Sequence, residues 1–205
     1  MSAQRRLWLC IALMLAGLLV SGWHPYERGT WWMEVFPAIV VMVLMIATAK
    51  RYPLSDLLLV LIVIHATILM VGGAYTYARV PFGFTVADWF GWQRNPYDKL
   101  GHFAQGFVPA VAIREILIRG DHVRGRRMLG LVIICIALAI SAGYELVEWG
   151  AAVALGAGAD DFLGTQGDPF DTQSDMLMAL IGAAAALMTM PRLHDKSLAR
   201  LPLYE

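Results

Sequence analysis

Six apolar runs, 7–22, 33–49, 56–78, 98–118, 128–154 and 173–190, take up most of this 205-residue chain. A helix needs about 20 mostly apolar residues to cross the hydrocarbon core of a bilayer, with roughly 17–25 tolerated. Lipid offers no partner to backbone N–H and C=O groups, so such runs must satisfy them internally as helices. At 59% hydrophobic and 16% charged residues, the chain is too apolar for a water-soluble domain. The pattern predicts an all-α, polytopic integral membrane bundle of about six transmembrane helices. It forms a single transmembrane domain over residues 1–205, with no soluble domain left over.

Net charge is zero, but its distribution is uneven. With the N-terminus in the cytoplasm, the inner loops hold Arg5, Arg6, Lys50, Arg51, Arg119, Arg124, Arg126, Arg127, Arg192, Lys196 and Arg200. The outer loops and helix ends hold only Arg28, Arg79, Arg94 and Lys99. That asymmetry follows the positive-inside rule for a multi-pass protein with both termini cytoplasmic. The basic stretch at 119–127 then anchors the topology, and no nucleic-acid partner is expected. Cys10 and Cys135 both lie inside expected spans and without CxxC spacing, so they read as small apolar residues. Arg5-Arg6, the following apolar run, Ser21 and Gly22 also resemble a signal peptide; the length of the run favours a retained first helix.

Three segments put ionisable groups into this apolar framework. Asp98–Ala110 reads DKLGHFAQGFVPA, with Asp98, Lys99, His102 and Gln105 at the start of the fourth span. Tyr144–Trp149 reads YELVEW, with Glu145 and Glu148 late in the fifth. Thr165–Met176 reads TQGDPFDTQSDM, with Asp168, Asp171 and Asp175 leading into the sixth. Spacings of three and four place these groups on common helix faces. The six-span topology brings all three segments to the outer side. Acidic residues share that bias, since Glu27, Glu34, Asp88, Asp98, Glu145, Glu148, Asp160, Asp161, Asp168, Asp171 and Asp175 all fall there.

Ionisable groups within a membrane are costly and normally face a cavity or a partner. Asp98 and Asp171 also suit helix starts as capping carboxylates, and Glu145 can pair with His102 or Lys99 to lock the bundle. Capping does not account for two glutamates inside the fifth span. The set therefore reads as a polar site, with His102, Glu145, Glu148 and Asp171 as acid–base candidates. Asp98, Lys99 and Gln105 are expected to orient them or bind substrate. A carboxylate-rich set with one imidazole also suits a hard or borderline divalent cation such as Mg²⁺, Mn²⁺, Ca²⁺ or Zn²⁺. The candidate ligands are His102, Glu145, Asp168, Asp171 and Asp175. Without metal, a histidine and a carboxylate can divide acid–base work between them.

Other features have milder readings. The first outer loop, 23–37, holds Trp23, Tyr26, Trp31 and Trp32, which suit the headgroup level; His24, Glu27 and Glu34 extend the polar site only as a second choice. Segment 79–97 is broken by Pro81, Gly83 and Gly91 yet rich in aromatics. It reads as an interfacial or re-entrant piece, either a lid or an anchor. His65 reads as a packing residue, and Gly72-Gly73 as a site of close helix contact.

The leading functional expectation is a membrane-embedded, metal-dependent hydrolase or headgroup transferase. Its substrate would be a lipid or lipid-linked envelope precursor in the outer leaflet, with membrane lipids as its surroundings. The alternatives are a small-solute or proton-coupled transporter, which requires polar groups through the full depth of the bundle, and an envelope-stress or assembly factor that binds through its aromatic outer loops.

The motifs HPYERGTWW, NPYDKLGHFAQGF, YELVEW and DFLGTQGDPFDTQSDM, in that order, resemble the YjdF-like family of bacterial inner-membrane proteins over nearly the whole chain. That resemblance implies a six-helix protein of the bacterial inner membrane. A more distant likeness is to VanZ-like proteins, through Asp98, Lys99, His102, Phe103, Glu145 and Asp175. The chain departs from that pattern at Glu148, where glutamine is frequent, and at Ala179, where asparagine is frequent.

Overall fold

The computed structural model describes residues 2–155 and 166–201. The long helices are α1 (Ala3–Trp23), α2 (Arg28–Thr48), α3 (Asp56–Tyr75), α5 (Tyr97–Arg119), α6 (Arg126–Leu155) and α7 (Asp171–Thr189). Two shorter helices, α4 (Pro81–Phe90) and α8 (Pro191–Leu198), complete the described set. Asp160, Asp161 and Thr165, the first residue of the TQGDPFDTQSDM motif, lie outside the described residues.

Helix ends follow local chemistry. The Ser2 hydroxyl accepts from Arg5 N at 3.3 Å and the Ser55 hydroxyl from Leu58 N at 3.4 Å, each satisfying an otherwise open first-turn donor. Glu27 caps α2 by accepting from Gly29 N at 2.9 Å and from Thr30 N. This cap starts α2 at Arg28, so Trp31, Trp32 and Glu34 stand on a helix rather than in the expected outer loop. At its far end α3 stops at Tyr75, because Thr76 and Tyr77 adopt positive φ values of 52° and 47° and reverse the chain. Pro191 restarts the helix after Met190, leaving α8 bent by 64° from α7.

Consecutive long helices run up and down. α3 packs against α1, α2 and α5, while α5 packs against α3, α6 and α7. Met14, Val35, Leu58, Val111, Ile133 and Ala183 are among the buried core residues. Leu19, Val20, Leu146, Val153 and Met188 remain more than 65% exposed. An apolar outer surface of that kind requires lipid as the solvent.

Four helices, α1, α2, α3 and α6, are long and apolar enough to cross a membrane, and the bent α7–α8 pair passes as a fifth. α5 has the length, at 23 residues, but Asp98, Lys99, Arg114, Glu115 and Arg119 make it the polar member of the bundle. It is correspondingly enclosed, and its contact with α7 is backbone to backbone. A Cβ on Gly106 would lie 1.8 Å from the Ala179 carbonyl oxygen, and one on Gly182 would lie 2.1 Å from the Phe103 carbonyl oxygen. Small residues permit such approach where no hydrophobic force drives helices together. Gly72, by contrast, makes room for the Tyr77 ring, which would stand 2.3 Å from an added Cβ, and Gly73 packs on α2.

Candidate functional site

Buried polar groups gather at both ends of the bundle, and the two clusters differ in how fully they are satisfied. At the α5 C-terminal end, Glu115 and His194 are both fully buried. Glu115 accepts from Ser55 N at 3.1 Å, from Arg119 Nη1 at 2.9 Å and from His194 Nε2 at 3.1 Å. Arg114 Nη1 lies 2.9 Å from His194 Nδ1. A guanidinium only donates, so Nδ1 accepts and the ring proton sits on Nε2, facing Glu115. Arg114 also pairs with Asp195 at 2.7 Å, and Leu57 N donates to Ser197 Oγ at 3.0 Å. This cluster fastens α8 across the starts and ends of its neighbours, and its acceptors are occupied.

The other cluster lies at the start of α5. One turn of α5 places Asp98 Oδ1 3.4 Å from His102 Nε2, and the next places Gln105 Oε1 3.1 Å from His102 Nδ1. Glu145 Oε1 from α6 stands 3.7 Å from the same Nδ1, and Asp175 Oδ1 from α7 stands 3.8 Å from Nε2. Lys99 Nζ contacts Asp175 Oδ1 at 2.6 Å and Asp171 Oδ1 at 2.7 Å, with Asp98 Oδ2 at 3.6 Å. Arg94 reaches in from the α4–α5 connection to Asp168 and Asp171, both at 2.7 Å. The two cations thus neutralise the aspartates of the α7 start, which holds buried carboxylates tolerable.

Two buried atoms of this cluster, Asp98 Oδ2 and Glu145 Oε1, make no hydrogen bond among the described residues. Glu148 makes neither a hydrogen bond nor an ion pair there. Unsatisfied buried acceptors are costly and rare, and they mark places where another group completes the site. Asp98 and Glu148 line a cavity of about 740 Å³, within the range of small-molecule sites at roughly 300–1,000 Å³. Its polar end holds Glu34, Tyr77, Asp98, His102, Gln105, Tyr144 and Glu148. From there it runs along apolar walls that include Phe36 and Val40 of α2, Leu69 of α3, Val108 and Ala112 of α5, and Ile140 and Val147 of α6. α2 and α6 flank this groove rather than packing along one another.

The nine residues singled out in the sequence therefore divide by position. Asp98, His102, Gln105 and Glu148 face the groove. Lys99, Glu145, Asp168, Asp171 and Asp175 stand behind them, four of the five tied into the ion-pair network with Arg94. Among the described residues one group places ligand atoms within 4.8 Å of one another in the manner of a metal site, namely Asp98, His102 and Asp175. Of the expected ligands, His102 and Asp175 belong to it. Asp168, Asp171 and Glu145 do not.

Sequence reading also passed over several groove residues. Glu34 stood only second in rank, yet its Oε2 accepts from the Tyr144 hydroxyl at 3.0 Å. Tyr144 is four residues from Glu148, a closer facial match than the three between Glu145 and Glu148, and that spacing was the available signal. His65 lines the groove with an unpartnered Nε2. Arg94 is reached only through the fold.

Comparison with known proteins adds family membership. The "Inner membrane protein YjdF" of Escherichia coli (strain K12) is 59% identical over 186 residues, covering 91% of this chain and 89% of that one. No solved structure matches. The family model described as "Predicted membrane protein (DUF2238)" matches residues 6–196, and with that span the chain belongs to the DUF2238 family of membrane proteins.

Proposed function

We propose that the protein is a membrane-embedded hydrolase or headgroup transferase that works on a lipid or lipid-linked substrate. One observation carries this reading: an incompletely satisfied histidine–carboxylate cluster forms the end wall of a groove whose other walls are apolar. A hydrocarbon chain along α2, α5 and α6 would set its headgroup against Asp98, His102 and Glu148. In the hydrolytic form, water adds to the headgroup ester while its proton passes to a carboxylate or imidazole of the cluster. The ester bond then breaks, and the leaving oxygen recovers a proton from the same cluster. His102 is the proton carrier, since it alone contacts the groove and three carboxylates. Asp98 and Gln105 orient its ring from either nitrogen. In the transferase form an acceptor hydroxyl takes the place of water.

Apart from His65, the groove-lining side chains between the two end clusters are apolar, which favours an enzyme over a transporter. Between the two end clusters lie Met14, Ile62, Val108 and Val111, and the far cluster is closed by its own hydrogen bonds. The excess of basic residues at the Glu115 end supports a cytoplasmic setting for that end, and with it a groove whose polar end lies in the outer leaflet of the bacterial inner membrane.

A metal-assisted form is the second reading, favoured by the Asp98–His102–Asp175 group. A divalent ion there would polarise the headgroup and lower the pKa of bound water. Lys99 Nζ, 2.6 Å from Asp175, would have to yield to it.

The test is incubation of purified protein with nanodiscs of Escherichia coli lipid extract, followed by mass spectrometry of the lipids. Wild type is expected to deplete one lipid class, and His102→Ala to reduce that rate at least 100-fold, the lower range for an acid–base group. Identical lipid profiles with wild type and His102→Ala would overturn the proposal. Metal analysis of chelator-free preparations separates the two forms. About one divalent ion per chain, lost in Asp175→Asn, selects the metal-assisted form, and its absence selects the metal-free one.

A further inference from the structure

The charge of the groove bears on what kind of headgroup it takes. Three carboxylates line it, Glu34, Asp98 and Glu148, together with the Tyr77 and Tyr144 hydroxyls. Among the described residues no lysine or arginine lines it. The neighbouring cations are held mainly behind the groove: Lys99 lies against Asp171 and Asp175 at 2.7 and 2.6 Å, with Asp98 farther off at 3.6 Å, and Arg94 lies against Asp168 and Asp171. The one basic side chain on the wall near these carboxylates, His102, is already held among Asp98, Glu145 and Asp175 at 3.4, 3.7 and 3.8 Å, so an anionic headgroup would meet the carboxylates without a cation of its own.

The orphaned groups are acceptors. Asp98 lines this space, and its buried Oδ2 makes no hydrogen bond among the described residues, with Lys99 Nζ 3.6 Å away. Glu148 has no hydrogen-bonding partner among the described residues. What completes such a wall is a donor-rich cation. A primary ammonium brings three N–H donors and one positive charge, and no acceptor. A phosphate brings acceptors only. The apolar walls call for a hydrocarbon chain attached to that ammonium.

Resting on the proposed reading of the groove as a lipid site, we infer that its substrates are membrane amphiphiles whose headgroup carries a primary amine, held by Asp98 and Glu148 while the chain lies between α2 and α6. Gly143 offers a way to close the groove without disturbing the bundle. It lines the cavity, and a Cβ built on it meets nothing within 4 Å. Gly143→Leu is therefore expected to fold and to fill the space where the chain lies.

The experiment measures binding of tritiated dodecylamine to the full chain in phosphatidylcholine nanodiscs, with dodecanol, dodecyl phosphate and n-butylamine as competitors. Dodecylamine is expected to bind at least tenfold more tightly than dodecanol or dodecyl phosphate, and butylamine not to compete. Glu148→Gln, at a carboxyl that makes no hydrogen bond or ion pair among the described residues, is expected to erase that preference while dodecanol still binds. Gly143→Leu is expected to lose all three long-chain probes. Equal binding of dodecanol, or stronger binding of dodecyl phosphate, would overturn the amine inference while a groove blocked by Gly143→Leu left the lipid-site reading standing. Competition by butylamine as strong as by dodecylamine would overturn the amphiphile. Undiminished binding in Gly143→Leu would remove the groove, and both readings with it.

Discussion

Glu27 and Asp98 are both carboxylates at helix starts, and their surroundings give them different work. Glu27 is exposed and accepts from the backbone N–H groups of Thr30 and Gly29, which hold its pKa below the ordinary glutamate range. A depressed folded-state pKa contributes stability above the unfolded value and loses it as pH falls through the folded one. Glu27→Ala is therefore expected to lower stability at pH 7 by about 1 kcal/mol, the usual scale for a lost cap. The difference should shrink towards pH 3, as the wild-type carboxylate protonates. Denaturant or thermal unfolding of both proteins at the two pH values checks this, and an unchanged gap would disprove the capping role. Asp98 instead keeps one oxygen without a hydrogen bond at the groove. Sequence alone distinguished these residues only in part. Spacing of three and four located Asp98, His102 and Gln105 because they share one helix, whereas Arg94 joins Asp168 and Asp171 across more than seventy residues. No local pattern encodes such a pairing. Glu34 was underrated because the Glu27 cap moves the start of α2 into what read as a loop.

Among the elements, the long helices were legible because hydropathy sets them directly, and α4 and α8 were not, because neither is long or uniformly apolar. Signals for both did exist: each begins with proline in its first turn, where its fixed φ and missing N–H fit a helix start. The segment expected as a lid or anchor is α4, with Phe82, Phe84, Trp89 and Phe90 all exposed. It is tied to α5 through Asn95, whose side chain donates to Ala78 O and Val80 O and accepts from Tyr97 N. The α5–α7 contact is the most demanding of the helix pairings, and it carries the site because His102 and Lys99 meet Asp171 and Asp175 across it. Gly106→Ala would set a methyl group 1.8 Å from a backbone carbonyl oxygen. Backbone cannot yield as a side-chain tip can, so a loss of about 1–3 kcal/mol or more is expected. Gly130→Ala is the matched control. Its methyl would find only Leu187 Cδ1, at 4.0 Å, and the higher helix propensity of alanine should leave stability unchanged or raised. Thermal unfolding in one detergent compares them, and equal midpoints would refute tight α5–α7 packing.

At the scale of the whole molecule, the two polar ends are unlike in satisfaction and in sign. The Glu115 end is closed by hydrogen bonds and carries most of the loop lysines and arginines. The His102 end opens into the groove and is rich in carboxylates. On the proposed reading, the orientation of the bundle decides which leaflet supplies the substrate. The positive-inside rule predicts a cytoplasmic Glu115 end, with His24, in the α1–α2 connection, outside and His122, in the α5–α6 connection, inside. Both residues are exposed, which makes them suitable reporters. On a Cys10→Ala, Cys135→Ala background, His24→Cys is expected to react with a membrane-impermeant maleimide in intact spheroplasts. His122→Cys is expected to react only after the membrane is opened. The reverse pattern would place the groove's polar end in the inner leaflet and replace an envelope-facing substrate with a cytoplasmic-leaflet one. The chemistry proposed for the His102 cluster would survive that result, because the proposal depends on the groove and its unsatisfied acceptors rather than on the side of the membrane they face.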